Sequence, residues 1–360
     1  MRIRIGVGIL LLIFGVLSTI VLGSVFPKEA IGQALFVILG LITYTVAQFI
    51  PRSFWKGIAV PLYVLVTILL VATLLHGRVT KGAVRWIPIG PVHVQVSELA
   101  KPALILVIAA VVSKVGLRSQ RGLLVAMGLL AIPLLLILLQ PDLGSGLVLL
   151  ASAGGILLTY TRKLTLLIPW IVGGVMVSLL AWQFFLYPYQ KARILSFVSS
   201  SENQDSSYNA QQALIAAGSG KLLGRGLGKG VQSNLKYLPE FHTDFFFASY
   251  AEELGYLGVG ILLLLYCALF YLLALHAGNL DAFDGMYRAG LLYALLFQTV
   301  VHMGMNIGLS PVTGIPLPFL SSGGSSFISM ALAVGIAVSL AAQTKSPGVP
   351  VLGLKTTPGV

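Results

Sequence analysis

Ten long apolar stretches leave this 360-residue chain few ways to fold outside a lipid bilayer. They run roughly over 5–26, 31–50, 55–76, 98–115, 122–140, 143–161, 164–186, 245–275, 286–309 and 323–343. A helix needs about 20 apolar residues to cross the hydrocarbon core. Only 9% of the residues are charged, against about 25% in a soluble domain, so the remainder cannot cover a water-facing surface. A soluble enzyme, a disordered chain and a nucleic-acid-binding domain are excluded. Long unalternating runs also exclude an outer-membrane barrel, whose strands alternate. The expected fold is all-α: a polytopic integral membrane protein with about ten transmembrane helices, one membrane domain over 1–360.

The eighth stretch is too long for one crossing and contains Gly255 and Gly258 just after Glu252 and Glu253. A half-helix over 244–253 followed by a true span fits it better. Irregular backbone at membrane depth is tolerated only where it is buried or lines a cavity, so the break marks a candidate site. The start, Met1–Arg4 followed by an apolar run, resembles a signal sequence without a small-residue cleavage site and reads as a first span. An even number of spans puts both termini on one side. Arg2, Arg4, Arg52, Lys56, Lys114, Arg118, Arg121, Arg162, Lys163, Arg288, Lys345 and Lys355 gather there, which predicts cytoplasmic termini. On the other face lie a loop over 77–97 and the one long loop, 187–244. No segment is large enough for a nucleotide-binding module, so no nucleotide is expected.

With eleven acids in the chain, each can be placed. Asp281 and Asp284 fall in a cytoplasmic loop and read as a solvated turn; Glu29, Glu202 and Asp205 fall in outer loops. Glu98, Asp142, Glu240, Asp244, Glu252 and Glu253 lie at the outer membrane face, where carboxylates usually have partners or line a cavity. Asp142, after Gln140-Pro141, suits a helix N-cap. Glu98 and Lys101 share one helix face, either as an internal ion pair or as a pair that contacts substrate. Asp244 is the sharpest candidate. It also suits an N-cap, but His242 is two residues away, Glu252 lies two turns along, and Phe241, Phe245, Phe246 and Phe247 surround it. An apolar setting makes a carboxylate a better base.

The long loop carries a glycine-rich basic run from Gly218 to Gly230 with Lys221, Arg225 and Lys229. It is not a P-loop, because Leu222 follows the lysine where Ser or Thr is required. Its N–H groups and cations could hold a phosphate, or its glycines could simply make turns. A second such turn, Ser321 to Ser326, opens the last span, where Ser325 and a helix N-terminus could face an anion. A membrane-embedded acid beside basic glycine loops is compatible with reaction on, or transport of, an anionic lipid.

Several segments resemble one family in order along nearly the whole chain. They are Arg85-Trp86-Ile87, Ser97-Glu98-Leu99-Ala100-Lys101, Gln140 to Ser145, Tyr189-Gln190-Lys191-Ala192-Arg193, Leu238 to Phe245, Ala251 to Gly255, and Gly314 to Phe319. The family is that of the shape, elongation, division and sporulation (SEDS) peptidoglycan polymerases. Ser310 to Gly314 and the short tails are more similar to its rod-shape (RodA-type) branch than to its division (FtsW-type) branch. Ser322, Val96 and Gln204 to Ser207 depart from the usual pattern.

The resemblance implies a glycosyltransferase that joins lipid II units into glycan strands at the outer face of the bacterial cytoplasmic membrane during cell elongation. For such a reaction Asp244 is predicted to act as general base on the acceptor 4-hydroxyl, or to help position it, with His242 and Glu240 as groups that tune it. Arg85, Asp142, Lys191, Arg193, Lys221, Arg225, Lys229, Lys101, Glu98, Glu252 and Ser325 are then supporting or substrate-binding. It further implies a divalent cation (Mg²⁺ or Mn²⁺) with no assigned ligands, a class B penicillin-binding protein as partner, and other elongation machinery. A lipid II flippase is the alternative. The acids' position on the outer side favours the enzyme.

Overall fold

The computed structural model describes residues 2–80, 83–89, 92–116, 119–160, 168, 172–176, 181–198, 204–235, 237–275 and 281–343. Its long helices are α1 (Arg2–Val25), α2 (Pro27–Ala47), α3 (Arg52–His76), α4 (Val96–Val115), α5 (Gln120–Leu139) and α6 (Leu143–Tyr160). A π-helical turn, Ala181–Phe185, leads to α7 (Pro188–Val198), α8 (Gln204–Ser219) and the short α9 (Val231–Asn234). The chain ends in α10 (Phe246–Ala274), α11 (Ala282–Asn306) and α12 (Gly324–Gln343).

Eight of the described helices are long and apolar enough to cross a membrane: α1 to α6, α10 and α12. The stretch expected over 286–309 is helical as α11, but its buried polar groups, Asp284, Arg288, Gln298, His302 and Asn306, keep it out of that set. About half of the stretch expected over 164–186 lies outside the described residues.

Helix α4 is the axis of the bundle. It is buried almost all round, from Val96 to Val112, and α3, α5, α6, α11 and α12 pack against it. A helix that is apolar on every side belongs inside. Helices α1, α2 and α3 instead bury one stripe and expose Ile, Leu and Val on the other, as lipid-facing helices do. The loop over 77–97 contains an element the all-helical expectation omits. Strands β1 (Arg78–Thr80), β2 (Ala83–Ile89) and β3 (Val92–Gln95) form an antiparallel sheet in that order, pairing Trp86 with Gln95.

At the opposite end, the expected solvated turn is partly an ion-pair cluster. Asp284 is fully buried and accepts from Arg52 Nε at 2.7 Å, while Asp281 also binds Arg52 and remains half exposed. The partner is remote in sequence, which is why a local reading takes both acids for surface groups. The Arg52 hydrogen bond holds the Asp281 carboxyl below its usual value.

Candidate functional site

The break in α10 falls at Gly255, whose φ of 67° and ψ of −171° interrupt the helix. A half-helix before the span is thus present, as expected, and the glycine-rich run explains how it survives. The break leaves carbonyls and N–H groups without helical partners, and buried orphans are costly. The run supplies four bonds to these groups. Arg225 and Gly226 N–H donate to the Glu252 and Glu253 carbonyls at 2.9 and 3.0 Å. Tyr256 and Leu257 N–H donate to the Lys221 and Leu222 carbonyls at 2.8 and 3.0 Å. The approach is too close for any side chain: a Cβ on Gly224 would stand 2.1 Å from the Glu253 oxygen, and one on Gly220 would stand 1.9 Å from the Ala251 oxygen.

These bonds remove much of the expected phosphate cradle, because Arg225, Gly226 and Gly228 N–H already face helix or carboxylate oxygens. The side chains of Lys221, Arg225 and Lys229 point outward, with Arg225 also donating to Ser219 Oγ at 3.0 Å. Glu252 does not join Asp244. It is fully buried and accepts from Gln232 N–H, Ser233 N–H and Ser233 Oγ at 2.9, 3.3 and 3.0 Å. Glu253 accepts from Gly228 N–H at 3.1 Å and from Ser24 Oγ at 2.8 Å. Both acids fasten the loop.

Asp142 and Glu98 also have structural partners. Asp142 caps α6 by accepting Ser145 N–H at 3.2 Å, and it takes further bonds from Ser97 and Gln95. Burial works to raise its pKa, but the Arg85 charge 3.9 Å away and the bonds from Ser145 and Ser97 outweigh it. The carboxyl sits below its usual 3.8. Glu98 and Lys101 form an ion pair at 2.7 Å, each 1% exposed, closed off from solvent.

Asp244 is different. Phe245, not Asp244, occupies the N-cap position of α10, and its side chain makes no capping bond. The Ala248 N–H is met instead by Asn306 Oδ1 from α11, at 3.0 Å. Asp244 follows a tight turn in which the Glu240 carbonyl accepts the N–H groups of Thr243, Asp244 and Phe245. Glu240 stands at φ 56°. His242 Nε2 is 3.9 Å from Glu240 Oε2, an ion pair when the ring is protonated. Asp244 is half-buried, above the apolar cluster of Phe241, Phe245, Leu238, Ala213, Ala216 and Ala248.

Beside it stands Arg193. A Cβ on Gly314 would lie 3.7 Å from Asp244 Oδ2 and 3.9 Å from Arg193 Nη1, so both side chains flank that glycine. Arg193, Arg85, Gln190, Trp182, Leu147 and Thr313 help to line a cavity of about 280 Å³ between α5, α6 and the chain around α7. Its lining is mostly apolar, with two arginines among the lining residues. Lys191 does not line it; its ammonium rests 5.8 Å from the centre of the Trp182 ring. Ser325 is half-buried in the first turn of α12, and the preceding turn grips the Asp244 segment: Ser322 N–H donates to the His242 carbonyl and Ser321 Oγ to the Thr243 carbonyl, each at 2.8 Å. Gln190, Ser321 and Asn306 are site residues that a count of acids and bases passes over. Asn306 alone carries a sequence signal: Gln298, His302 and Asn306 recur every fourth residue, one polar stripe on an apolar helix.

The chain matches the FtsW/RodA/SpoVE family, described as cell cycle protein, over residues 3–346. It is 37% identical over 327 residues to the peptidoglycan glycosyltransferase MrdB of Escherichia coli, covering 88% of this chain and 86% of the relative. It is 35% identical to the probable peptidoglycan glycosyltransferase FtsW of Nitrosococcus halophilus, covering 88% and 84%. Among solved structures it is similar to a chain of a peptidoglycan synthase complex described as coordinating polymerization and crosslinking. That match has a TM-score of 0.80 at 30% identity over 94% of this chain and 97% of that one. The rod shape determining protein RodA of Thermus thermophilus gives a TM-score of 0.72 at 28% identity over 95% and 97%.

Proposed function

The chain belongs to the FtsW/RodA/SpoVE family, and from that premise we propose how its site performs the family's chemistry. It is a RodA-like peptidoglycan glycosyltransferase and an integral membrane protein. The observation that carries the assignment of the site is Asp244: a half-buried carboxylate just before the N-cap of α10, beside Arg193 and an apolar cavity that Arg193 and Arg85 help to line.

Such a cavity suits a lipid-linked sugar. Its apolar wall accepts the start of an isoprenoid tail, and Arg85 and Arg193 offer charge to a diphosphate, where guanidinium forks bind well. Asp244 takes the proton from the acceptor sugar's 4-hydroxyl. The oxygen forms its bond to the donor's anomeric carbon from the opposite face. The bond from that carbon to the undecaprenyl diphosphate breaks, its electron pair leaves with the diphosphate, and the configuration inverts. Arg193 and Arg85 stabilise the charge that develops on the leaving group. The donor bond is already activated, so no nucleotide enters.

A divalent cation, Mg²⁺ or Mn²⁺, fits this reading through the substrate. Magnesium is commonly held by one or two carboxylates together with phosphate oxygens. Among the described residues no group of three His, Cys, Asp or Glu forms a protein cage. When bound, the ion neutralises diphosphate charge. The partner we propose is a class B penicillin-binding protein within the elongation machinery, in line with the synthase complex that the fold matches. The termini are cytoplasmic by the placement of the basic residues, so the site faces outward, in the bacterial inner membrane.

The test is polymerisation of lipid II with Mg²⁺, with and without the transpeptidase, read as glycan on a gel. Wild type makes polymer, and Asp244→Asn loses about 10²–10⁴-fold in rate while remaining folded. Polymer from both would return Asp244 to a structural role. Lipid II crossing liposome bilayers with no polymer from either would favour the flippase.

A further inference from the structure

Three successive carbonyls of the Asp244 segment are held by donors from two remote parts of the chain, the turn before α12 and the end of α11. The His242 carbonyl takes the Ser322 N–H at 2.8 Å, and the Thr243 carbonyl takes Ser321 Oγ at 2.8 Å. The Asp244 carbonyl takes Asn306 Nδ2 at 3.1 Å. Asn306 is fully buried, and its carboxamide is used at both ends. Nδ2 also donates to the His302 carbonyl at 2.8 Å, and Oδ1 accepts the Ala248 N–H at 3.0 Å. Carbonyls can meet only the nitrogen and an N–H only the oxygen, so the network fixes the orientation of the amide.

An N-cap is ordinarily the task of a local Ser, Thr, Asn or Asp. Asp244 immediately precedes Phe245 and is the nearest side chain of that kind. Asn306 takes the task over from another helix and at the same time anchors the Asp244 main chain. We infer that Asn306 is a positioning residue for the polymerase reaction, one that meets the Ala248 N–H at the helix end and holds the Asp244 main chain in place. This deepens the reading of Asp244 as the base and rests on it.

Asn306→Asp separates the two tasks. An aspartate retains an acceptor for the Ala248 N–H and loses the donors to Asp244 and His302. A misplacement of about 1 Å at a reacting group lowers rates by about 100-fold. Asn306→Asp and Asn306→Ala are therefore expected to lose about 100-fold in kcat, with the KM for lipid II held within about threefold. The assay is the reconstituted polymerase, at temperatures well below each variant's thermal midpoint. Wild-type kcat in Asn306→Asp would reduce the residue to a cap and overturn the inference. If neither variant folds, Ser321→Ala, remote from the helix cap, takes their place. A kcat loss at constant KM supports the clamp, and an unchanged kcat sinks it. Asp244→Asn in the same assay keeps the two readings apart, since normal turnover there removes the base itself.

Discussion

Asp244 and Glu252 sit two helical turns apart around the start of α10 and have opposite environments. Glu252 is fully buried and meets two N–H groups and a hydroxyl of the loop that mends the break. Asp244 is half-buried, precedes the N-cap residue of its helix, and flanks Gly314 together with Arg193 beside the cavity. Both are carboxylates at the same membrane face, and residue type does not tell them apart. What separates them is which neighbours meet the orphaned backbone groups. At the start of α10 the Asn306 amide from another helix meets the Ala248 N–H; at the break the Glu252 carboxylate itself meets the loop's N–H groups and is part of the framework.

The sharpest way to break this contrast is to leave a framework charge without its partner. Lys101→Met strands the Glu98 carboxylate at a site 1% exposed. Loss of one partner of a buried pair costs about 3–5 kcal/mol, so the thermal midpoint in detergent should collapse. Glu98→Gln combined with Lys101→Met should recover much of the loss. A single variant as stable as wild type would mean that the pair is reached by water or substrate, contrary to its burial.

Next in size is the mended break. Gly224→Ala places a methyl 2.1 Å from the Glu253 carbonyl, at a φ of 81°. Backbone strain and overpacking each cost about 1–3 kcal/mol. The variant should therefore unfold well below wild type, or lose the loop's docking as read by proteolysis near Leu222 and Leu223. Glu252→Ala removes three hydrogen bonds to a charged acceptor. Bonds of this kind are worth about 1.5–3 kcal/mol. The expected signature is lower stability with kcat preserved in the folded fraction, the reverse of Asp244→Asn. Equal loss of kcat in both variants would merge the two regions into one site.

How far the sequence foretells this depends on the range of the interactions. The long helices show in the hydropathy pattern, and the half-helix before Gly255 shows in the excess length and its glycines. Asp142 as a cap is equally local, with Ser145 three residues on. The glycine run was ambiguous because its partners, Glu252 to Leu257, lie some 30 residues away and no spacing rule links them. Asp284 looks solvated until Arg52 arrives from α3. The sheet over 78–95 is easily passed over: Val92 to Val96 alternates apolar and polar residues, but two of the three strands are only 3 and 4 residues long. Asn306 announces itself only as the end of the Gln298–His302 stripe.

The smallest effect is the one with a pH sign. Asp142 belongs to the framework, yet it is tied to Arg85, which also lines the cavity, so it links the two regions. Its carboxyl is held below 3.8, with burial opposing Arg85, Ser145 and Ser97. A lowered folded-state value means that the unfolded chain binds the proton more readily. The stabilisation is therefore complete above the ordinary value and disappears as pH falls through the folded one. Arg85→Ala removes the opposing charge and lets burial push the carboxyl upward. The acid limb of stability should then begin at higher pH than in wild type, while stability near pH 7 falls by no more than about 1 kcal/mol, since Arg85 is partly exposed and its pair is screened. Thermal midpoints measured from pH 3 to 7 on both proteins would read this. Coincident acid limbs would mean that the hydrogen bonds from Ser145 and Ser97 hold Asp142 unaided, leaving Arg85 committed to the cavity alone.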